Sequence, residues 1–267
     1  MSEAAPPTPP PPSRPWRQRL ADFLVWGGLI ALLAVSFHAV EMSRLPLLFS
    51  NSDNMRQFGR SFLHPDFTLW PIYLRQMWLT VQIALWGTTI AMVLSIPLGL
   101  AASHNLSPPW IQQPVRRLLD VLRSVPDLVI GTIFVVAVGL GPFAGVMALA
   151  LNTAGVLGKL FSEAVEAIDS GPVEGVRALG ATRLQEIVWG VIPQVGPLWT
   201  SYALYRFESN ARAATVLGLI GAGGIGQLLF DSINGFMYEQ TAAIVIVIVA
   251  AVTLIDLMSQ SLRGRLL

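Results

Sequence analysis

Three charged residues stand inside sequence apolar enough for a membrane: Arg206, Glu208 and Arg212, after Pro193 and before Gly218. A charge at bilayer depth costs at least ~2.5 kcal/mol even on insertion scales, so such residues face a cavity or a partner. Glu208 and Arg212 are four apart on one helical face, in the favourable order for an ion pair, and Tyr205 and Thr215 share that face. Two readings stay open. Either Arg212, with Arg206, presents planar guanidinium forks to an oxyanion while Glu208 keeps the arginine from becoming a permanent trap, or Glu208 and Arg212 neutralise one another in a helix bundle or brace a subunit interface. Asn152, mid-way along another apolar run, either hydrogen-bonds across the bundle, worth ~0.6 to 2 kcal/mol, or faces the same polar path.

A second group of polar residues interrupts the apolar runs at 163–194. Its core reads Glu174-Gly175-Val176-Arg177-Ala178-Leu179-Gly180, and Ile192-Pro193 follows at a distance. Residues 162–168 read as a helix end, which Ser170-Gly171-Pro172 breaks. A short helix then runs over 173–179. Gly180 supplies a sharp turn or a close approach. Thr182 and Gln185 form a capping-box pattern for a second short helix over 184–191, which Pro193 ends. The expectation is two short helices at an angle, with Glu174, Arg177 and Arg183 at their surface; the bland alternative is an ordinary helix connector.

The elements that position these residues follow from composition. The 267 residues are 53% hydrophobic and only 12% charged, with a mean hydropathy of +0.59, which places the chain in the membrane class. A formal charge of +1 argues against nucleic acid as a partner. The absence of cysteine excludes disulfides, a thiol nucleophile and a Cys-ligated metal. His38, His64 and His104 are too dispersed for a metal site.

Apolar runs at 20–40, 78–102, 118–140, 142–160, 198–220 and 241–258 give an all-α polytopic protein with about six membrane-spanning helices. Residues 1–19 form a proline-rich tail, expected to be disordered and cytoplasmic. The run at 20–40 reads as a retained span rather than a signal peptide, since it is long and no small-x-small site follows. Arg14, Arg17 and Arg19, then Arg116 and Arg117, then Lys159, Arg177 and Arg183, then Arg263 and Arg265 fall on one side of an even number of spans. The positive-inside rule makes that side, with both termini, the cytoplasm. Residues 55–67 could form an amphipathic helix at the interface, or a loop. The run Gly221-Ala222-Gly223-Gly224-Ile225-Gly226 is no dinucleotide loop, because it ends an apolar span instead of following a strand; close helix approach, a mobile outer gate or a plain turn are the readings left.

The stretch from Glu174 to Pro193 resembles the coupling loop of bacterial ABC-importer permeases, a pattern of Glu-Ala-Ala, three residues, Gly, nine residues, Ile-x-Leu-Pro. Glu174, Gly180 and Pro193 keep that spacing, whereas Gly175, Val176, Gly190 and Ile192 depart from it. Arg123-Ser124-Val125-Pro126-Asp127, Asn152 to Leu160, Glu163 to Ile168 and Arg212 to Gly226 further resemble the permeases of phosphonate ABC transporters, and the resemblance covers about 77–258. It implies a type I ABC importer permease fold in a bacterial inner membrane. It also implies uptake of phosphonate, phosphite or hypophosphite, with Glu174, Arg177, Ala178, Leu179, Gly180 and Pro193 meeting an ATP-binding subunit. The expected partners are two such subunits holding ATP and Mg, a periplasmic substrate-binding protein and a second permease, identical or related. The chain itself is then neither an enzyme nor a cofactor binder, and Arg212, Glu208, Arg206 and Asn152 are the substrate-path candidates. Runner-up readings are an importer of another solute such as methionine, a secondary transporter without an ATPase, and an intramembrane enzyme using Asp120, Asp127 and Glu208, for which no paired acidic motif speaks.

Overall fold

The computed structural model describes residues 16–50, 56 and 59–264. Residues 1–15 of the proline-rich tail, Arg265 and part of the 55–67 segment lie outside the described residues, and residues 16–19, counted with the tail, are helical. The chain divides into residues 1–59 and 60–267. The first unit holds α1, Trp16–Ala39, closed by a turn at Met42–Arg44 in which Glu41 takes a left-handed backbone (φ 52°) and pairs with Arg44 at 3.1 Å.

The second unit is all helical among its described residues. Its longest element is α2, Trp70–Ala102, whose 33 residues reach roughly 50 Å. It packs most extensively on α5, Pro142–Glu166. Small residues set that contact: a Cβ on Gly87 would come within 2.8 Å of Leu149 Cβ, and one on Gly99 within 2.7 Å of Phe161 Cβ. Apolar tails outside a membrane helix drive no hydrophobic association between helices, so close backbone approach of this kind supplies the packing.

Between these two helices the sequence suggested one span at 118–140. The chain instead forms α3, Pro109–Ser124, and α4, Asp127–Val138, bent by 88°. Pro126 explains the break: it lacks an N–H and drives the preceding Val125 out of the helical region, to φ −85°, ψ 124°. α3 lies across α5, where Gly155 and Gly158 admit Leu119 and Leu122. After α5 come α6, Ser170–Ala178, and α7, Ile192–Leu217. The first turn of α6 is Ser170-Gly171-Pro172, capped by Asp169 Oδ1 on Gly171 N–H at 3.0 Å, so the expected breaker is a helix start. Pro193 does not end a helix either: it sits in the first turn of α7, directly after a helical turn at Glu186–Val191.

The glycine run turns α7 into α8, Ile225–Asn234, a 46° bend. Gly221, Gly223 and Gly224 are left-handed, and a Cβ on Gly226 would lie 1.7 Å from the Thr215 carbonyl. The run is therefore both a turn and a close approach. Thr80 of α2 accepts the Ile225 N–H at 2.8 Å, closing the start of α8. The last helix, α9, Tyr238–Arg263, packs on α7 and α8. Among the described residues four helices are long and apolar enough to cross a membrane, and up to six crossings result if each bent pair counts as one.

Gly155→Ala should lower the thermal stability of the detergent-solubilised subunit by roughly 1–3 kcal/mol, because its Cβ would meet the Arg123 backbone at 2.8 Å. Gly196→Ala in α7, which meets nothing within 4 Å, should instead be neutral or gain up to about 1 kcal/mol from helix propensity.

Candidate functional site

The loop at 163–194 is built around a carboxylate. The Thr182 N–H donates to Gln185 Oε1 at 2.8 Å, the capping box expected there. The chain then widens into a π-helical turn at Glu186–Val191 and runs on into α7. Glu186 is buried in this turn. Arg177 grips it with a two-point fork, Nε to Oε1 at 2.9 Å and Nη2 to Oε2 at 3.0 Å, and Arg183 Nη1 reaches Oε2 at 3.0 Å. These bonds, first those from Arg177 and then those from Arg183, overcome desolvation and pull the Glu186 carboxyl from its ordinary 4.5 to about 2. Arg177 and Arg183 are thus committed inward in part, not simply displayed at the surface.

Other contacts hold the loop in shape. Gln194 Nε2 donates to the carbonyls of Gly190 at 2.7 Å and Asp169 at 3.1 Å. A Cβ on Gly190 would stand 3.0 Å from Val173 Cα, so the glycine at this position lets α6 lie directly on the π turn. The opposite side of α6 and its turn is open: Glu174, Gly175 and Ala178 are exposed, Leu179 is 89% exposed and Leu184 70%, and Gly180 is left-handed at φ 80°. Pro193 is exposed at the foot of α7. A braced underside with bare leucines above it is a surface prepared for another protein.

Within α7 the charged residues separate into two groups. Glu208, 6% exposed, binds Arg212 Nη2 at 2.9 Å and Arg263 Nη2, from the end of α9, at 3.3 Å. The Arg263 guanidinium also lies over the Tyr205 ring at 5.6 Å. Arg206 points elsewhere. Its Nη2 donates to Thr153 Oγ1 at 3.3 Å, Thr153 to Asn210 Oδ1 at 3.0 Å, and Asn210 Nδ2 to Thr88 Oγ1 at 2.8 Å, a chain across α7, α5 and α2. Asn152 Nδ2 donates to the Val125 carbonyl at 3.0 Å, the acceptor freed where α3 breaks from α4. Asp127, at the start of α4, is within electrostatic reach of Arg206. Asp127 Oδ1 and Arg206 Nε are buried without a hydrogen-bond partner among the described residues. Of the four path candidates, Arg206 and Asn152 thus border the α3–α4 break with Asp127, and Glu208 and Arg212 form a separate brace. Asp120 binds Lys159 at 2.7 Å.

The chain matches the family described as binding-protein-dependent transport system inner membrane component over residues 95–266. The chain belongs to this family. It is 41% identical to the phosphite transport system permease protein PtxC of Stutzerimonas stutzeri, over 93% of this chain and 89% of that one. It is 39% identical to the phosphate-import permease protein PhnE of Mycolicibacterium smegmatis, over 96% of this chain but 48% of that protein, so it spans about half of that relative. In Escherichia coli the putative cryptic phosphonate transport system permease protein PhnE2 is 59% identical over 44% of this chain and 96% of its own length. Among solved structures, an inward-facing MetNI methionine ABC transporter superposes with a TM-score of 0.65 at 19% identity, covering 76% of this chain and 99% of that one. The fold is that of a type I ABC importer permease. This family member is a multi-pass inner-membrane permease and not an enzyme; ATP hydrolysis belongs to separate subunits.

Reading the sequence missed Glu186 and Arg263. Glu186 left a signal: it is the sole acid between Glu174 and Glu208, nine residues after Arg177 and three after Arg183. Arg263 left none, since 55 residues separate it from Glu208.

Because the folded pKa of Glu186 lies below its ordinary value, the stability it adds is complete above pH 4.5 and lost as pH falls toward about 2. Amide hydrogen exchange over 170–191, corrected for intrinsic rates, should therefore be flat near neutrality and rise only below about 4.5. In Glu186→Gln it should be fast throughout.

Proposed function

We propose that this chain is the membrane permease of an ATP-driven importer of phosphonate-like phosphorus oxyanions, among them phosphonate, phosphite and hypophosphite, delivered by a periplasmic binding protein. The observation that carries the reading is the near full-length match to a phosphite permease; the braced loop at 163–194 supports the coupling to ATP. Two ATP-binding subunits, which hold ATP and Mg, meet Glu174, Arg177, Ala178, Leu179, Gly180 and Pro193. A second permease, identical or related, completes the pathway. The distribution of Arg and Lys supports cytoplasmic termini and a cytoplasmic loop.

The substrate path runs by Arg206. Its guanidinium has donor capacity left over, at Nε, beside the polar break between α3 and α4, and a planar fork suits a tetrahedral oxyanion. Asp127 keeps that arginine from holding the anion permanently, the role first considered for Glu208. Asn152 holds the break open by taking the Val125 carbonyl. Glu208, shared between Arg212 and Arg263, braces α7 against α9. Alternating access then follows from movement of the loop into these helices.

ATPase activity of the purified complex in lipid nanodiscs decides the importer reading. Stimulation by binding protein loaded with a phosphorus oxyanion, lost in Glu174→Ala, is the expected result; a chain that retains no ATP-binding subunit contradicts it. Within the path, Arg206→Gln should cut uptake by ~10-fold or more, the value of one charge-assisted hydrogen bond of about 1.5–3 kcal/mol, with the complex intact. Arg212→Gln should keep most uptake. The reverse order of effects would move the path to the Glu208 face.

A further inference from the structure

The grip of the loop on the rest of the permease is narrow. On α6 only Val173 is buried. It joins the apolar cluster with Val191, and Leu106 packs against that cluster. Beside it, between α6 and residues 103–108, lies a cavity of about 150 Å³ lined by Asn105, Leu106, Val173, Glu174, Arg177 and Arg183 among others. The two surfaces are therefore incompletely packed on one another. Across this gap reaches Arg183. While its Nη1 holds Glu186, its Nη2 donates to the Leu106 carbonyl at 2.8 Å, with the Asn105 carbonyl at 3.4 Å.

Residues 103–108 are in turn tied to three helix ends. Asn105 Nδ2 donates to the Val165 carbonyl of α5 at 2.7 Å, and the His104 N–H to Glu166 Oε1 at 2.8 Å. Arg116 of α3 binds Glu166 as well, and its Nε donates to the Ala102 carbonyl at the end of α2 at 2.9 Å. α5 and α7 join the loop directly, α5 through residues 167–169 and α7 through the π turn. For α2 and α3 the hydrogen-bonded route runs from Arg177 through Glu186 and Arg183 to residues 105 and 106.

We propose that Arg183, held by Glu186, is the joint through which movement of the coupling loop reaches α2 and α3, so that it sets how tightly ATP hydrolysis is linked to the arrival of loaded binding protein. The inference rests on the importer reading and names positioning residues within it. Arginine fits the task because separate nitrogens of one planar fork face the carboxylate and the carbonyl, whereas lysine offers a single nitrogen on a flexible stem. The buried carboxylate fixes the fork, since a charge left unpaired there is costly. Loop and receiving segment then move as one body, while α5 and α7 follow by chain continuity.

The test uses the whole complex in nanodiscs and the variant Arg183→Met, which keeps length and leaves the Arg177–Glu186 fork in place. The expected result is retention of the ATP-binding subunits and of basal ATPase, with the stimulation by loaded binding protein reduced by about tenfold, an ordinary size for coupling between sites. Hydrogen exchange supplies the second measurement. On adding nucleotide, exchange should change at both 170–191 and 103–108 in the wild type, but only at 170–191 in Arg183→Met. Undiminished stimulation, or a nucleotide response at 103–108 that survives the substitution, overturns the proposal. So does loss of the ATP-binding subunits from the variant, which makes Arg183 part of the docking surface. A wild-type complex that binds no ATPase overturns the importer reading itself, an outcome distinct from all of these.

Discussion

A helix bundle in lipid has no water to complete its hydrogen bonds, so each backbone group freed by a break must find a partner inside the protein. Three breaks among the described residues of this permease carry such a partner. Asn152 takes the carbonyl of Val125 where Pro126 ends α3, Thr80 receives the N–H of Ile225 where α8 begins, and Arg116 takes the carbonyl of Ala102 where α2 ends. The side chains that satisfy the breaks come from other helices, and so they fix how those helices sit. The bends of 88° and 46°, begun by Pro126 and by the glycine run, are held by Asn152 and Thr80.

The same constraint separates the arginines of α7. Arg212 and Arg263 share one carboxylate, Glu208, and so join α7 to α9. Arg206 is held by the Thr153 hydroxyl instead, with a donor left over and an aspartate nearby. Arg206 has a buried donor without a partner beside the α3–α4 break, whereas Arg212 is half exposed and rests on Glu208. That difference underlies the proposal that the oxyanion path runs by Arg206 and not by its neighbour.

The coupling loop follows a related logic outside the apolar core. Its outer surface is left bare, with Leu179 and Leu184 exposed, while its inner surface is tied by Glu186, Gln194 and Asp169. Rigidity beneath and exposure above allow a push from outside to move the loop as a unit. The π turn lies at the point where this unit joins α7, and widened turns of that kind recur at functional positions.

The sequence by itself determined the membrane class, the helical architecture, the place of the loop and its capping box. These depend on composition and on residues close in the chain, which hydropathy and local spacing report directly. Proline was legible as punctuation but not in its sense: Pro172 lies in the first turn of a helix, where a missing N–H is costless, Pro193 follows a helical turn without ending it, and Pro126 splits what looked like one span. The Glu208–Arg212 pair was readable at four residues' separation. Its third member Arg263, the tie from Arg183 to Leu106, and the parting of Arg206 from Arg212 were decided only by the tertiary structure. Those pairings join residues 53 to 77 positions apart, and no local pattern records which side chains a folded bundle brings together.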